Sequence, residues 1–167
     1  MISILALDLS LTCTGYCIDG QSGRIASRQR GWERIAEILR TVRDLANGVD
    51  LVTLEDYAYK IQGNAGVHIA GLGEIVRFWL WTHHYLYVDV PIGTLKKWAT
   101  GKGNAQKDAM IAAAIRRFGF KGEDNNEADA HLLWCMARHA YGEPVADVPA
   151  LQAAELAKVN WPVMTLE

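Results

Sequence analysis

Residues 2–15, ISILALDLSLTCTG, constrain this chain most, because they set one aspartate, Asp8, inside an almost unbroken apolar run. Ile2, Ile4, Leu5, Ala6, Leu7, Leu9 and Leu11 do not alternate with polar residues. That is the pattern of a strand buried on both faces, and so of a sheet covered by helices on two sides. A carboxylate buried there without a partner is costly enough to shift its pKa, pair with a cation or bind a metal. Just beyond it the run breaks into Ser10, Thr12, Thr14 and Gly15, small polar residues that open the backbone. The stretch predicts an active-site strand end.

The remaining segments fill out the layers. Residues 15–18 and 25–29 are short strand candidates separated by Asp19-Gly20-Gln21-Ser22-Gly23, which predicts an antiparallel meander of the first three strands. Trp32, Ile35, Ile38, Leu39, Val42 and Leu45 recur at three- and four-residue spacing, predicting an amphipathic helix closed by Asn47-Gly48. Residues 51–55, LVTLE, make a second apolar strand, and it too ends on a carboxylate, Glu55. Residues 67–81 predict a helix whose internal glycines imply close packing against another backbone. A fifth strand is expected over 85–90 and helices over 92–99, 107–118 and 126–141, the last capped by Asp124 or Asn125. The order predicts an α/β layer fold with a mixed sheet of five strands flanked by helices. Residues 1–142 are expected as one domain, with 143–167 an extension packed on it that includes a short helix over 151–158.

Composition narrows the setting. The 167 residues suffice for a core without covalent staples. Cys13, Cys17 and Cys135 form no CxxC pair and leave one thiol over, pointing to a reducing, cytoplasmic compartment. No apolar segment reaches the length of a membrane span and no basic region precedes the first apolar run, so neither a membrane partner nor a signal peptide is expected. The formal charge of −2 gives no global attraction to nucleic acid. Between Pro91 and Lys121, however, lie Lys96, Lys97, Lys102, Lys107, Arg116, Arg117 and Lys121 against Asp108 alone. This local basic face is either a phosphate contact or a solvated helix surface.

The chemistry-bearing residues are three acids and an amide. Asp8 and Glu55 end two apolar strands, and Asn126-Glu127-Ala128-Asp129-Ala130 opens the last helix, with Asn126 and Asp129 on one helix face. Each has a purely structural reading: a turn residue, a strand terminus, a first-turn acid favoured by the helix dipole. Together they make an oxygen-rich set with no His/Cys cluster, suited to Mg²⁺ or Mn²⁺ rather than zinc. His131, Cys135 and His139 recur every four residues, but residue 131 lies about 200° around a helix from residue 129, so this stripe is expected to pack.

These four features in this order, Asp8, Glu55, the 97–107 segment KWATGKGNAQK and the NEADA at 126–130, resemble the RuvC-type Holliday junction resolvases, most of all their phage-borne members. The similarity runs to about residue 141. It implies an RNase H-like fold, a homodimer and a Mg²⁺-dependent endonuclease that nicks branched DNA: four-way junctions, with forks and flaps as further substrates. By position it implies Asp8, Glu55 and Asp129 as metal-binding carboxylates. Asn126 falls where the family usually has an aspartate or histidine, leaving Glu127 or Asp124 as alternative sources of charge. Lys107 would offset charge at the scissile phosphate and, with Lys96, Lys97 and Lys102, approach the DNA backbone. Tyr57 and Tyr59 follow Glu55 where the family carries an aromatic thought to stack at the junction.

Two other readings stand beside this one. Residues 8–15 also resemble the first phosphate loop of the actin-like and sugar-kinase superfamily, which would require a second lobe and a second loop. A junction-binding protein weakened in cleavage by Asn126 is the other.

Overall fold

The computed structural model describes residues 2–56 and 64–164. β1 (Ile4–Asp8), β2 (Thr14–Ile18), β3 (Gln21–Ile25), β4 (Leu51–Asp56) and β5 (Tyr87–Pro91) form one sheet in the order β3-β2-β1-β4-β5. β1 is antiparallel to β2, and β2 to β3, while β1–β4 and β4–β5 are parallel. This is the expected five-stranded mixed sheet. Around it lie α1 (Gly31–Leu45), α2 (Asn64–Thr82), α3 (Ile92–Thr100), α4 (Lys107–Phe118), α5 (Asn125–Ala140) and α6 (Ala150–Ala153), which runs on into a 3₁₀ turn over Ala154–Lys158. No described helix is long and apolar enough to cross a membrane.

Strand parity divides the core in two. Leu5, Leu7, Val52 and Leu54 bury with Ile38 and Val42 of α1 and Leu72, Val76 and Leu80 of α2. Ile4, Ala6 and Leu51 bury on the opposite face with Leu95 and Trp98 of α3, Met110 and Phe118 of α4, and Leu132, Leu133 and Met136 of α5. Successive side chains of a strand point to opposite faces, so both faces of β1 and β4 are packed. Trp98 stacks on Phe118 with centroids 4.9 Å apart and donates its indole N–H to His139 Nδ1 at 3.2 Å.

The structure moves two expectations. β3 lies over Gln21–Ile25 rather than 25–29, because Asp19 and Gly20 alone make the hairpin turn. Both have positive φ, 47° and 86°, the requirement of a tight two-residue turn that Asp-Gly meets. On α2, Gly71 meets no other atom of the described residues within 4 Å of where a Cβ would sit, so close packing against them does not account for that glycine.

Close packing is required at Gly15 instead. A Cβ there would lie 2.0 Å from the Asn126 carbonyl oxygen and 3.1 Å from the Glu127 amide nitrogen. The first turn of α5 therefore rests directly on the β2 backbone, at the residue paired with Asp8. Gly15→Ala is expected to push α5 off the sheet and cost about 1–3 kcal/mol, the usual range for overpacking. In a calorimetric scan that is a fall of about 2–10 °C in thermal midpoint.

Candidate metal and nucleic-acid site

Register brings the first two acids together. β1 and β4 pair in parallel through Leu7 and Leu54, and Asp8 and Glu55 are the next residue on each strand. Asp8 shares the parity of Ile4 and Ala6, and Glu55 that of Leu51, so both carboxylates face the α5 side of the sheet. Asp129, in the second turn of α5, lies near enough for its charge to be felt by both, and the seating of that helix on Gly15 sets its height. All three acids are half-buried.

Among the described residues, none of the three carboxylates has a hydrogen-bond or ion-pair partner. Their protonation reflects this. Burial first, then the charge of Asp129, pushes the Asp8 carboxyl up to about 7, with Asp124 adding to the rise and Lys107 opposing it. Glu55 is held well above the usual carboxylate range by burial and by Asp8 and Asp129, with Lys96 opposing. Burial raises Asp129 to about 6, against the pull of Lys107 and Lys96. Three acids from three elements thus feel one another, and two lysines from α3 and α4 offset them across the cleft.

An oxygen-only donor set, dry enough to resist ionisation and lacking a paired cation, fits a hard divalent ion in its chemistry. As placed, no three His, Cys, Asp or Glu side chains among the described residues are gathered closely enough to hold one ion.

Asn126 and its neighbours are largely occupied by the helix start. Asp124 is the N-cap: its Oδ1 accepts from the amides of Asn126 at 2.8 Å and Glu127 at 3.2 Å, and its Oδ2 faces Arg24 at 3.4 Å. Glu127 also turns to Arg24, at 3.9 Å. The structure thus engages both alternatives to Asn126 in capping and pairing at the start of α5.

The basic residues separate into two directions. Lys96 is half-buried on the carboxylate side, and Lys107 opens α4 beside it. Lys97, the next residue along α3, points elsewhere, with its ammonium 2.9 Å from Glu155. Lys102 is exposed in the loop between α3 and α4, where it lines a groove of about 610 Å³ with Asn104, Gln106 and Arg116 over a floor of alanines from α4. Tyr57 and Tyr59 lie outside the described residues. His131 packs: its Nε2 donates to the Phe118 carbonyl at 2.8 Å, and its Nδ1 lies 3.3 Å from Ser22 Oγ. Sequence reasoning missed Glu155, a lone glutamate in a segment without pattern; no local signal marks it.

No protein-family model matches the sequence, and no curated protein matches it. Solved structures do. The Thermus thermophilus RuvC structure superposes with a TM-score of 0.67 at 14% identity, covering 89% of this chain and 100% of that one. The fold is RuvC-like. T. thermophilus RuvC in complex with Holliday junction substrate superposes with a TM-score of 0.64 at 15% identity, covering 80% of this chain and 90% of that one. The RuvC-like sheet holds Asp8 and Glu55 on its two central parallel strands.

The raised carboxyls set a pH dependence. From the ordinary Asp value of 3.8 up to about 7, the folded chain holds a proton on Asp8 that the unfolded chain has released. Stability of the metal-free protein therefore falls as pH rises through that interval. Asp8→Asn removes the charge at nearly constant shape. Fluorimetric melts in chelator should place it about 2–6 °C above wild type near pH 8, converging with wild type near pH 4.

Proposed function

We propose that this chain is a metal-dependent, structure-selective DNA endonuclease that resolves four-way junctions by paired phosphodiester nicks. The observation that carries the reading is that two unpaired, half-buried carboxylates at adjacent parallel strand ends and a third from α5 lie on one side of a RuvC-like sheet, within electrostatic reach of Lys96 and Lys107. Asp8, Glu55 and Asp129, joined by the amide of Asn126 one turn earlier on α5, would hold Mg²⁺ or Mn²⁺. Such ions, when bound, supply an activated water and neutralise the leaving oxygen of a phosphodiester. The chain's own contribution is to keep the acids half-buried, on one side of the sheet and free of competing internal partners. Lys107, whose charge Asp8 and Asp129 both feel, is suited to offset charge on the non-bridging oxygens in the transition state. Lys102 and Arg116, on the rim of the alanine-floored groove, would contact phosphates and position the duplex without reading its sequence.

A solved RuvC bound to a Holliday junction substrate supports branched DNA as the ligand class. We extend the proposal to a homodimer. On α2, Phe78 is 65% and Trp81 66% exposed. Two large apolar side chains one turn apart on an exposed helix suit an isologous contact, and a two-fold pair would place two sites on opposite arms.

A second reading, a branched-DNA-binding protein with weakened cleavage, draws on residue 126 bringing an amide and on the absence of a ready-made three-acid cluster among the described residues. Incubation of a synthetic four-way junction with and without Mg²⁺ separates the two. Wild type should nick the junction in a metal-dependent way and leave linear duplex intact. Asp8→Asn, Glu55→Gln and Asp129→Asn should each lose about 10²- to 10³-fold in rate, and Lys107→Ala about 10²-fold, with junction binding retained within a few-fold. Metal-independent binding with no nick in any arm would leave only the second reading.

Self-association is checked by sedimentation equilibrium. Wild type should sediment as a dimer and Phe78→Glu with Trp81→Glu as a monomer. An unchanged dimer in the double variant would move the interface off α2.

A further inference from the structure

The polypeptide beyond α5 returns to grip the two helices that carry Lys96 and Lys107. Glu155, only 3% exposed, receives the ammonium groups of Lys97 at 2.9 Å and Lys158 at 2.8 Å. Gln152, one turn earlier, touches both ends of the α3–α4 unit. A Cβ on Gly101, which closes α3 with φ 82°, would sit 2.9 Å from Gln152 Nε2. Gln152 Oε1 in turn accepts from Arg117 Nη1 of α4 at 3.0 Å. The same Arg117 nitrogen donates to the Ala99 carbonyl at 2.8 Å, satisfying one of the acceptors that the end of α3 leaves open. Arg117 Nη2 reaches the Asp147 carbonyl at 3.4 Å. Val159 is buried among the residues of this face, and Tyr141 donates to the Pro162 carbonyl at 2.8 Å.

We propose that residues 147–158 form a brace, with Glu155 on Lys97 and Gln152 on Gly101 and Arg117, that positions α3 and α4 so that Lys96 and Lys107 stand over the carboxylates. This rests on the nuclease reading only for its catalytic consequence; the brace itself is a statement about the chain.

Adjacent residues on a helix point about 100° apart, so one α3 turn serves both ends of the arrangement. Lys96 faces the acids and Lys97 faces the brace. Between Gly101 and Lys107 the backbone has no regular structure of its own apart from turns, so the brace and the α3–α4 packing set where α4 begins. Glu155, Gln152 and Arg117 are therefore positioning residues. Lys97 joins them, since its ammonium is engaged by a buried carboxylate and is not free to meet a phosphate.

Glu155→Gln and Lys97→Gln test this, singly and together. Glu155→Gln keeps the shape and leaves both lysines with access to water, so no buried charge is stranded. Lys97→Gln changes a side chain already 47% exposed, so it serves if the first variant fails to fold. Hydrogen exchange on the intact protein is the first readout. The brace predicts that amides of residues 101–106 exchange at least about 10-fold faster in either variant, with the sheet amides unchanged. Junction cleavage is the second. Maximal rate should fall about 10- to 100-fold, as misplacement of catalytic groups does, with junction affinity within two-fold and the double variant no worse than the poorer single.

Unchanged exchange at 101–106 in the folded variants overturns the brace. So does a Lys97→Gln protein that binds DNA more weakly, with a salt slope lower by about one, while Glu155→Gln behaves as wild type; Lys97 is then a phosphate contact. If wild type shows no cleavage, the nuclease reading fails while the exchange result still decides the brace.

Discussion

Parallel pairing of β1 with β4 puts Asp8 and Glu55 side by side, and neither strand can turn its acid away. Rotation would bring Leu7 and Leu54 out of the core they share with α1 and α2. A one-residue slip would exchange the two faces of a strand whose faces are both buried, so hydrophobic burial enforces the register. The repulsion between the carboxylates is thus borne by packing of the whole sheet. With burial as the larger cause, it helps to hold both carboxyls above the usual carboxylate range.

Around that pair the remaining elements act as supports. α5 approaches the sheet closely enough to need glycine at position 15, and Asp124 and Arg24 fasten its first turn, so Asp129 arrives at a set height. The amino end of a helix carries partial positive charge, which suits a cluster of acids and offsets part of their repulsion. α3 and α4 contribute the countercharge from the other side. Lys96 and Lys107 stand apart from the acids, close enough to be felt and not paired with them.

The C-terminal residues change the meaning of the basic stretch. Read as a row, Lys96, Lys97, Lys102 and Lys107 are four equivalent cations. In the structure they do different things. One faces the acids, one holds a buried glutamate, one lines a groove and one opens a helix beside the site. A brace built from the end of the chain couples the geometry of the site to a segment far from it in sequence, so substitutions there are felt at the carboxylates.

Local pattern is enough to locate nearly every described element and the two acids that close β1 and β4. The unbroken apolar runs of β1 and β4 specify buried strands, and the cost of burying Asp8 and Glu55 marks them as unusual from sequence alone. The expected helix over 107–118 coincides with α4, and Asp124, one of two candidates, is the cap of α5. The Asp19-Gly20 turn was misjudged by several residues, since which pair in a polar run takes positive φ depends on the register of the strands beyond it. What only tertiary structure decided was direction and partnership: that Lys96 and Lys97 part company, that Gly15 rather than the α2 glycine Gly71 admits a neighbouring backbone, and that Glu155 is buried between two lysines. Side-chain periodicity encodes which face of an element is apolar. It carries no information on which distant residue will lie opposite, because that follows from the packing of elements whose spacing along the chain is arbitrary.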